Sequence, residues 1–182
     1  MRMLLVRSWP LDPPEGHPRV FDDAERLYNT DYDYSGLAEY GDDILHLDWD
    51  VAVHREDALA FAAMAAREPQ RVLVAPVRVY PDSRRGLAGP LWAAKRYEGA
   101  GMRYVTDGEP ACHIFGFGMV YLPGALLRRF VDEFAADLAT RRVKLDDVAF
   151  SGWHHHNVEP EARIDWDVRP VHTNYRISEV LA

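Results

Sequence analysis

The chain has 182 residues, enough for one domain with a substantial core. Hydrophobic residues make up 48% and charged residues 27%, a globular composition that excludes a disordered or fibrous chain. The formal net charge of -8 argues against a nucleic-acid partner, whose phosphates want a basic surface, and suits a divalent cation, which carboxylates ligate.

In chain order, "MRMLLVRSW" predicts a first strand. "PLDPPEGHPRVFDD" is a proline-rich connection, and "DDAERLYN" predicts a short helix capped by Asp22 or Asp23. "YSGLAEYG" reads as a short helical stretch ending at Gly41. "DILHLDWDVAV" predicts a strand, and "REDALAFAAMAARE" is the clearest helix, rich in alanine and stopped by Pro69. "RVLVAPVRVY" predicts a buried central strand. Residues 81–111 show little periodicity and predict a long loop with a short helix near "LWAAKRYE". "FGFGMVYLP" predicts a strand entered through glycines, and "GALLRRFVDEFAADLAT" a second strong amphipathic helix. "LDDVAFSGWHHHN" mixes polar and aromatic residues, and "WDVRPVHTNY" predicts a closing strand. Strands and helices alternate, which predicts one α/β domain over residues 1–182, a three-layer sandwich with a mostly parallel mixed sheet. Ligands of such sheets sit at the carboxyl ends of the strands.

Five groups could carry chemistry. Asp48 and Asp50 flank Trp49 near a strand end. On an extended chain they would point the same way about 7 Å apart, which suits a cation with a phosphate ligand, or else they simply end a strand or cap a helix. The glycines of "FGFG", Gly116 and Gly118 around Phe117, let a ligand approach the backbone, or mark a bulge. Asp146 and Asp147 could supply a general base, or a helix cap. In "WHHHN", Trp153 and His154 begin a run that on a strand would pair His154 with His156 on one face, as transition-metal ligands or as a polar loop packed on Trp153. His172 is a lone histidine near the end of a strand, of interest only with partners.

In order, "DILHLDWDVAV", "HIFGFGMVYLP", "LDDVAF" and "VRPVH" resemble four motifs of the GT-A fold glycosyltransferases, and in particular small glycosyltransferase-like proteins of actinobacteria and their phages. The resemblance spans about residues 29–175. It implies a GT-A-like domain with a compact N-terminal half, in which Asp48 and Asp50, completed by His172, bind Mn²⁺ or Mg²⁺ with the nucleotide diphosphate. It implies further that Gly116, Phe117 and Gly118 line the donor and acceptor pocket, and that Asp147, with Asp146 beside it, is the catalytic base. Trp49, Trp153 and His154 are expected to touch substrate. The expected activity is sugar transfer from a nucleotide-sugar donor to a hydroxyl of a glycan, protein or small molecule. A non-catalytic saccharide- or protein-binding module and a His/Asp metal-dependent hydrolase remain the alternatives.

Cys112 is the sole cysteine, so no intrachain disulfide forms. The opening apolar run is too short for a signal peptide and is broken by Pro10, and no stretch approaches the roughly 20 apolar residues of a membrane helix. A cytoplasmic protein without a membrane span is expected.

Overall fold

A computed structural model describes residues 3–9, 24–28, 31–79 and 91–172. Seven strands form the main sheet: β1 (Met3–Trp9), β2 (Glu25–Tyr28), β3 (Asp43–Leu47), β5 (Leu73–Val74), β10 (Ala111–Cys112), β12 (Met119–Leu122) and β13 (Ala162–Ile164). Their order is β10-β13-β5-β12-β3-β1-β2. β1 runs parallel to β2 and β3, β13 runs parallel to β5, and β12 is antiparallel to both β3 and β5. β10 is antiparallel to β13, so only β12 and β10 oppose the common direction and the sheet is mixed.

The alternation of side chains across each strand builds two cores. On β3 and β12, Ile44, Val120 and Leu122 face one side, and Leu45, Leu47, Met119 and Tyr121 the other. The second set packs on Ala58, Phe61 and Ala65 of α1 (Arg55–Ala65). The first set packs on Leu37 of a 3-10 helix (Ser35–Tyr40), on Leu127 and Phe130 of α2 (Gly124–Glu133), and on Phe150 and Trp153 of α4 (Asp147–Asn157). The result is an α/β fold with helices on both faces of the sheet.

Several elements differ from the expectations. The segment after Asp23 is the edge strand β2, not a helix. Its four residues are too few to repay helix nucleation, and pairing with β1 supplies backbone bonds at once. The proposed caps Asp22 and Asp23 lie outside the described residues. "RVLVAPVRVY" splits at Pro76 into β5 and β6 (Arg78–Val79), because proline cannot donate to a ladder. The long helix breaks at Phe134, where φ is -104°, into α2 and α3 (Ala135–Ala139).

The expected long loop holds β7 (Leu91–Trp92), β8 (Ala94–Glu98) and β9 (Gly101–Tyr104) as well as β10. β8 and β9 form a hairpin with Gly99 at φ 59°, as the first central position of a tight hairpin turn requires. β8 also pairs with β11 (Ile114–Phe115), so "FGFG" is where the chain leaves a small three-stranded sheet for the main one. Likewise "DILHLDWDVAV" is β3, a turn, and β4 (Val51–Ala52), which pairs with β14 (Val171–His172).

Gly124 opens α2 with its N–H donating to Asp43 Oδ1 at 2.9 Å. A Cβ there would stand well inside van der Waals contact with the Asp42 carbonyl oxygen. Gly124→Ala is therefore expected to cost about 1–3 kcal/mol through a forced backbone shift, read as a lower urea midpoint.

Candidate functional site

The turn at Asp48–Asp50 follows the carboxyl end of β3, where the parallel strand β1 also ends, and this is the edge at which α/β sheets bind ligands. Arg7 on β1 fixes the turn: its NH2 donates to the carbonyls of Trp49 at 2.9 Å and Val51 at 3.3 Å. Burial pulls the Arg7 pKa down, and the charges of Asp48 and Asp50 push it back up. Asp50 is buried, and its Oδ2 accepts a hydrogen bond from His172 Nε2 at 2.9 Å. That bond raises the His172 pKa above its ordinary value. The antiparallel pairing of β4 with β14 places His172 opposite Val51, which brings the two residues together.

Asp48 belongs to a second network. Its Oδ1 accepts from Ser8 Oγ and from the Trp49 N–H, both at 2.9 Å. Ser8 Oγ is also 3.0 Å from His46 Nε2, and His46 Nδ1 is 2.6 Å from the Phe117 carbonyl. A carbonyl only accepts, so Nδ1 carries the proton and neutral His46 presents Nε2 as an acceptor. The single Ser8 proton can then satisfy either His46 or Asp48. Burial first, and the neighbouring Asp50 second, push the Asp48 pKa up to about 6.

Asp147 is the first residue of α4 and faces a cleft of about 190 Å³. Burial raises its pKa, the adjacent Asp146 raises it further, and Lys95 pulls it down. Gly116 forms the floor: a Cβ there would stand 3.6 Å from Asp147 Oδ2. Asp146 serves differently. It is the N-cap of α4, and its Oδ1 accepts from the Ala149 N–H at 2.6 Å.

Tyr34, only 4% exposed, connects the two acidic positions. Its ring packs edge-on against His46 and Phe117 with centroids 5.1 and 5.0 Å away, and its N–H donates to the Leu145 carbonyl at 2.7 Å. Burial raises its hydroxyl pKa first, followed by the charges of Asp48, Asp147 and, more weakly, Asp50. One hydroxyl thus senses carboxylates from both groups.

The remaining expected substrate residues are placed elsewhere. Residues Asp147–Asn157 of "LDDVAFSGWHHHN" form the helix α4, so His154 and His156 do not share a face as they would on a strand. Trp153 is buried against Phe130, and its Nε1 donates to Glu133 Oε2 at 2.8 Å. His154 packs against Phe115 and Phe150, and Phe117 stacks on Tyr34, Phe115 and Phe150. All three are core residues, and none lines the cleft. Gly118 is a packing glycine, since a Cβ would meet Val77 Cγ2 at 2.9 Å. Trp49 is half-buried in the acidic turn. Arg7, Ser8 and His46 were visible in the sequence as polar residues inside apolar strands, whereas Tyr34 and Lys95 carried no local signal.

No family profile matches the chain, and no curated protein matches it. Among solved structures, A197 from STIV is similar with a TM-score of 0.54 at 16% sequence identity, over 94% of this chain and 85% of that one. The likeness is one of fold. No helix among the described residues is long and apolar enough to cross a membrane.

Proposed function

We propose that the protein is a metal-dependent glycosyltransferase of GT-A-like fold that moves a sugar from a nucleotide-sugar donor to a hydroxyl acceptor. The observation that carries this reading is the Asp50–His172 contact at the sheet's ligand-binding edge. A neutral His172 would offer its Nε2 lone pair, and Asp50 a carboxylate oxygen, to Mg²⁺ or Mn²⁺ in place of the hydrogen bond that now joins them. Asp50 Oδ2 and His172 Nε2 are 2.9 Å apart. Among the described residues no group of three or more His, Cys, Asp or Glu is arranged to hold a metal ion. The pair, with Asp48 next to it, would therefore hold the ion only together with the diphosphate and water, a pattern usual for Mg²⁺. When bound, the ion would neutralise the departing diphosphate.

The chain's own residues supply the rest. Asp147, across the Gly116 floor, takes the proton of the acceptor hydroxyl as its oxygen bonds to the anomeric carbon and the bond to the diphosphate breaks. Burial keeps Asp147 more basic than an exposed carboxylate, which suits a general base. Arg7 holds the backbone of the acidic turn in place for the donor.

Calorimetry with Mn²⁺ and a panel of nucleoside diphosphates tests the reading. Binding that needs the metal, and that Asp50→Ala abolishes, is expected. If no nucleotide binds with or without metal, the activity is lost as an explanation.

A non-catalytic saccharide- or protein-binding module is the second reading, favoured by the engagement of Asp48 with Ser8 and with its own turn. Saccharide binding without any nucleotide binding would select it. The histidine cluster gives a hydrolase no support, since His154 is 1% exposed and packed among aromatic rings.

A further inference from the structure

We propose that the cleft at Asp147 is a subsite for a hydroxyl compound bearing an anionic group, with Lys95 holding the anion and Asp147 the hydroxyl. The inference names the acceptor class for the transferase reading and rests on it for that role.

The register of the small sheet sets one wall. Ile114 on β11 is opposite Lys95 on β8, and Lys95 is opposite Tyr104 on β9. Directly opposed residues of antiparallel strands project to the same face, so these three side chains form one row. All three line the cleft, together with Gly116, Asp147 and Val148.

Lys95 is held there by a ring, not by an acid. Its Nζ stands 4.8 Å from the centroid of Tyr104, close enough for a cation–π attraction that orients the ammonium. Among the described residues no carboxylate lies within ion-pair distance of Lys95 Nζ, Asp147 included. The Lys95 charge still reaches Asp147 and lowers its pKa. Both line the same cleft of about 190 Å³, which leaves room for a ligand that reaches the two.

Such a ligand donates from a hydroxyl to Asp147 and presents oxygens to Lys95. Lys95 is the one cation among the described residues lining the cleft. In a chain of net charge -8 it is a local attractor for an anion in a field that otherwise repels one. The apolar faces of Ile114, Val148 and the Tyr104 ring suit the carbon face of a ring. The volume of about 190 Å³ is below that of drug-sized pockets, at about 300 Å³ and above, and fits a single small ring. A carboxylate and a phosphate monoester share this chemistry.

The test titrates the full chain, without nucleotide, with glucose, glucuronate, glucose 6-phosphate and inorganic phosphate. Binding is followed by amide shifts in the Lys95 and Gly116 segments. At least one of the two anionic sugars is expected to bind at least tenfold tighter than glucose, and the arm that does so identifies carboxylate or phosphate. Lys95→Gln should erase that preference, and Tyr104→Leu should weaken it with the fold unchanged by circular dichroism. Equal binding of glucose and the anionic sugars, a preference that survives Lys95→Gln, tighter binding of phosphate alone, or no binding of any sugar overturns the proposal. Because no nucleotide is present, failure here is separable from failure of the transferase reading. Anionic-sugar binding without nucleotide binding would keep the subsite and remove the transferase.

Discussion

On the transferase reading proposed above, Asp147→Asn should cut the rate of sugar transfer by about 10²–10⁴-fold, the usual contribution of a positioned general base, while metal-dependent nucleotide binding stays unchanged. The substitution preserves shape and leaves α4 capped, because the cap is Asp146, whose Oδ1 holds the Ala149 N–H. The base function would be lost without loss of fold. Asp146→Asn is the informative partner. Asparagine caps helices as well as aspartate does, so that variant should keep both its stability and its rate. An Asp147→Asn enzyme with an undiminished rate, or an Asp146→Asn enzyme with the larger loss, would sink the assignment. Nucleotide affinity measured beside the rate separates a catalytic defect from a binding defect.

The second large effect is on stability in acid. His46 is fully buried and His154 is 1% exposed, and burial pulls both pKa values down to about 4. In the unfolded chain each titrates near 6.5, so between these values the unfolded state binds more protons and stability falls as pH falls. Each histidine therefore contributes stability that is fully present above about pH 6.5 and is lost by about pH 4, on the order of 3 kcal/mol each. Asp48 acts in the opposite sense. Its folded pKa of about 6 lies above the ordinary value of 3.8, so its contribution is present at low pH and is lost as pH rises through 6. Asp147, Asp165 and His172, whose pKa values are also raised, act in the same sense as Asp48 and offset part of the histidines' acid loss. Urea unfolding at pH 7 and pH 4.5 should show the acid loss, and His154→Phe should remove a large part of the pH dependence whatever it does to stability at pH 7. An unchanged slope in that variant would show that His154 already titrates normally in the fold.

The legible parts of the molecule were those in which a single periodicity decided the outcome. The apolar runs of β1, β3 and β12 and the alanine-rich α1 announce themselves because burial on both faces, or on one helical stripe, leaves little choice of residue. β8 and β9 were hidden because "AKRYEGAGMRY" uses alanine, lysine, arginine and glutamate, which favour helices in isolation. The hairpin turn at Gly99 and the pairing with β11 override that preference. α4 was hidden because aromatic and histidine residues have weak helix propensity, and the Asp146 cap with packing on Phe130 and Phe115 decides the matter. For the candidate site, the acids were readable as acids out of place in a strand. The contact of His172 with Asp50 follows from the pairing of β4 with β14, which no local pattern encodes. Tyr34 and Lys95 escaped for the same reason, since their significance lies entirely in what other segments bring beside them.

The hairpin of β8 and β9 has a practical consequence. Its tip, Glu98 to Gly101, has open space around it: a side chain built at Gly99 would meet nothing within 4 Å. The same two strands carry Lys95 and Tyr104 at their other end. The tip is thus a natural place to graft a reporter, such as a cysteine-linked fluorophore at Ala100, at the far end of the two strands that carry the cleft wall. Added residues there would lengthen a solvent-facing turn and leave the registers of the main sheet, and with them the acidic turn, as they are.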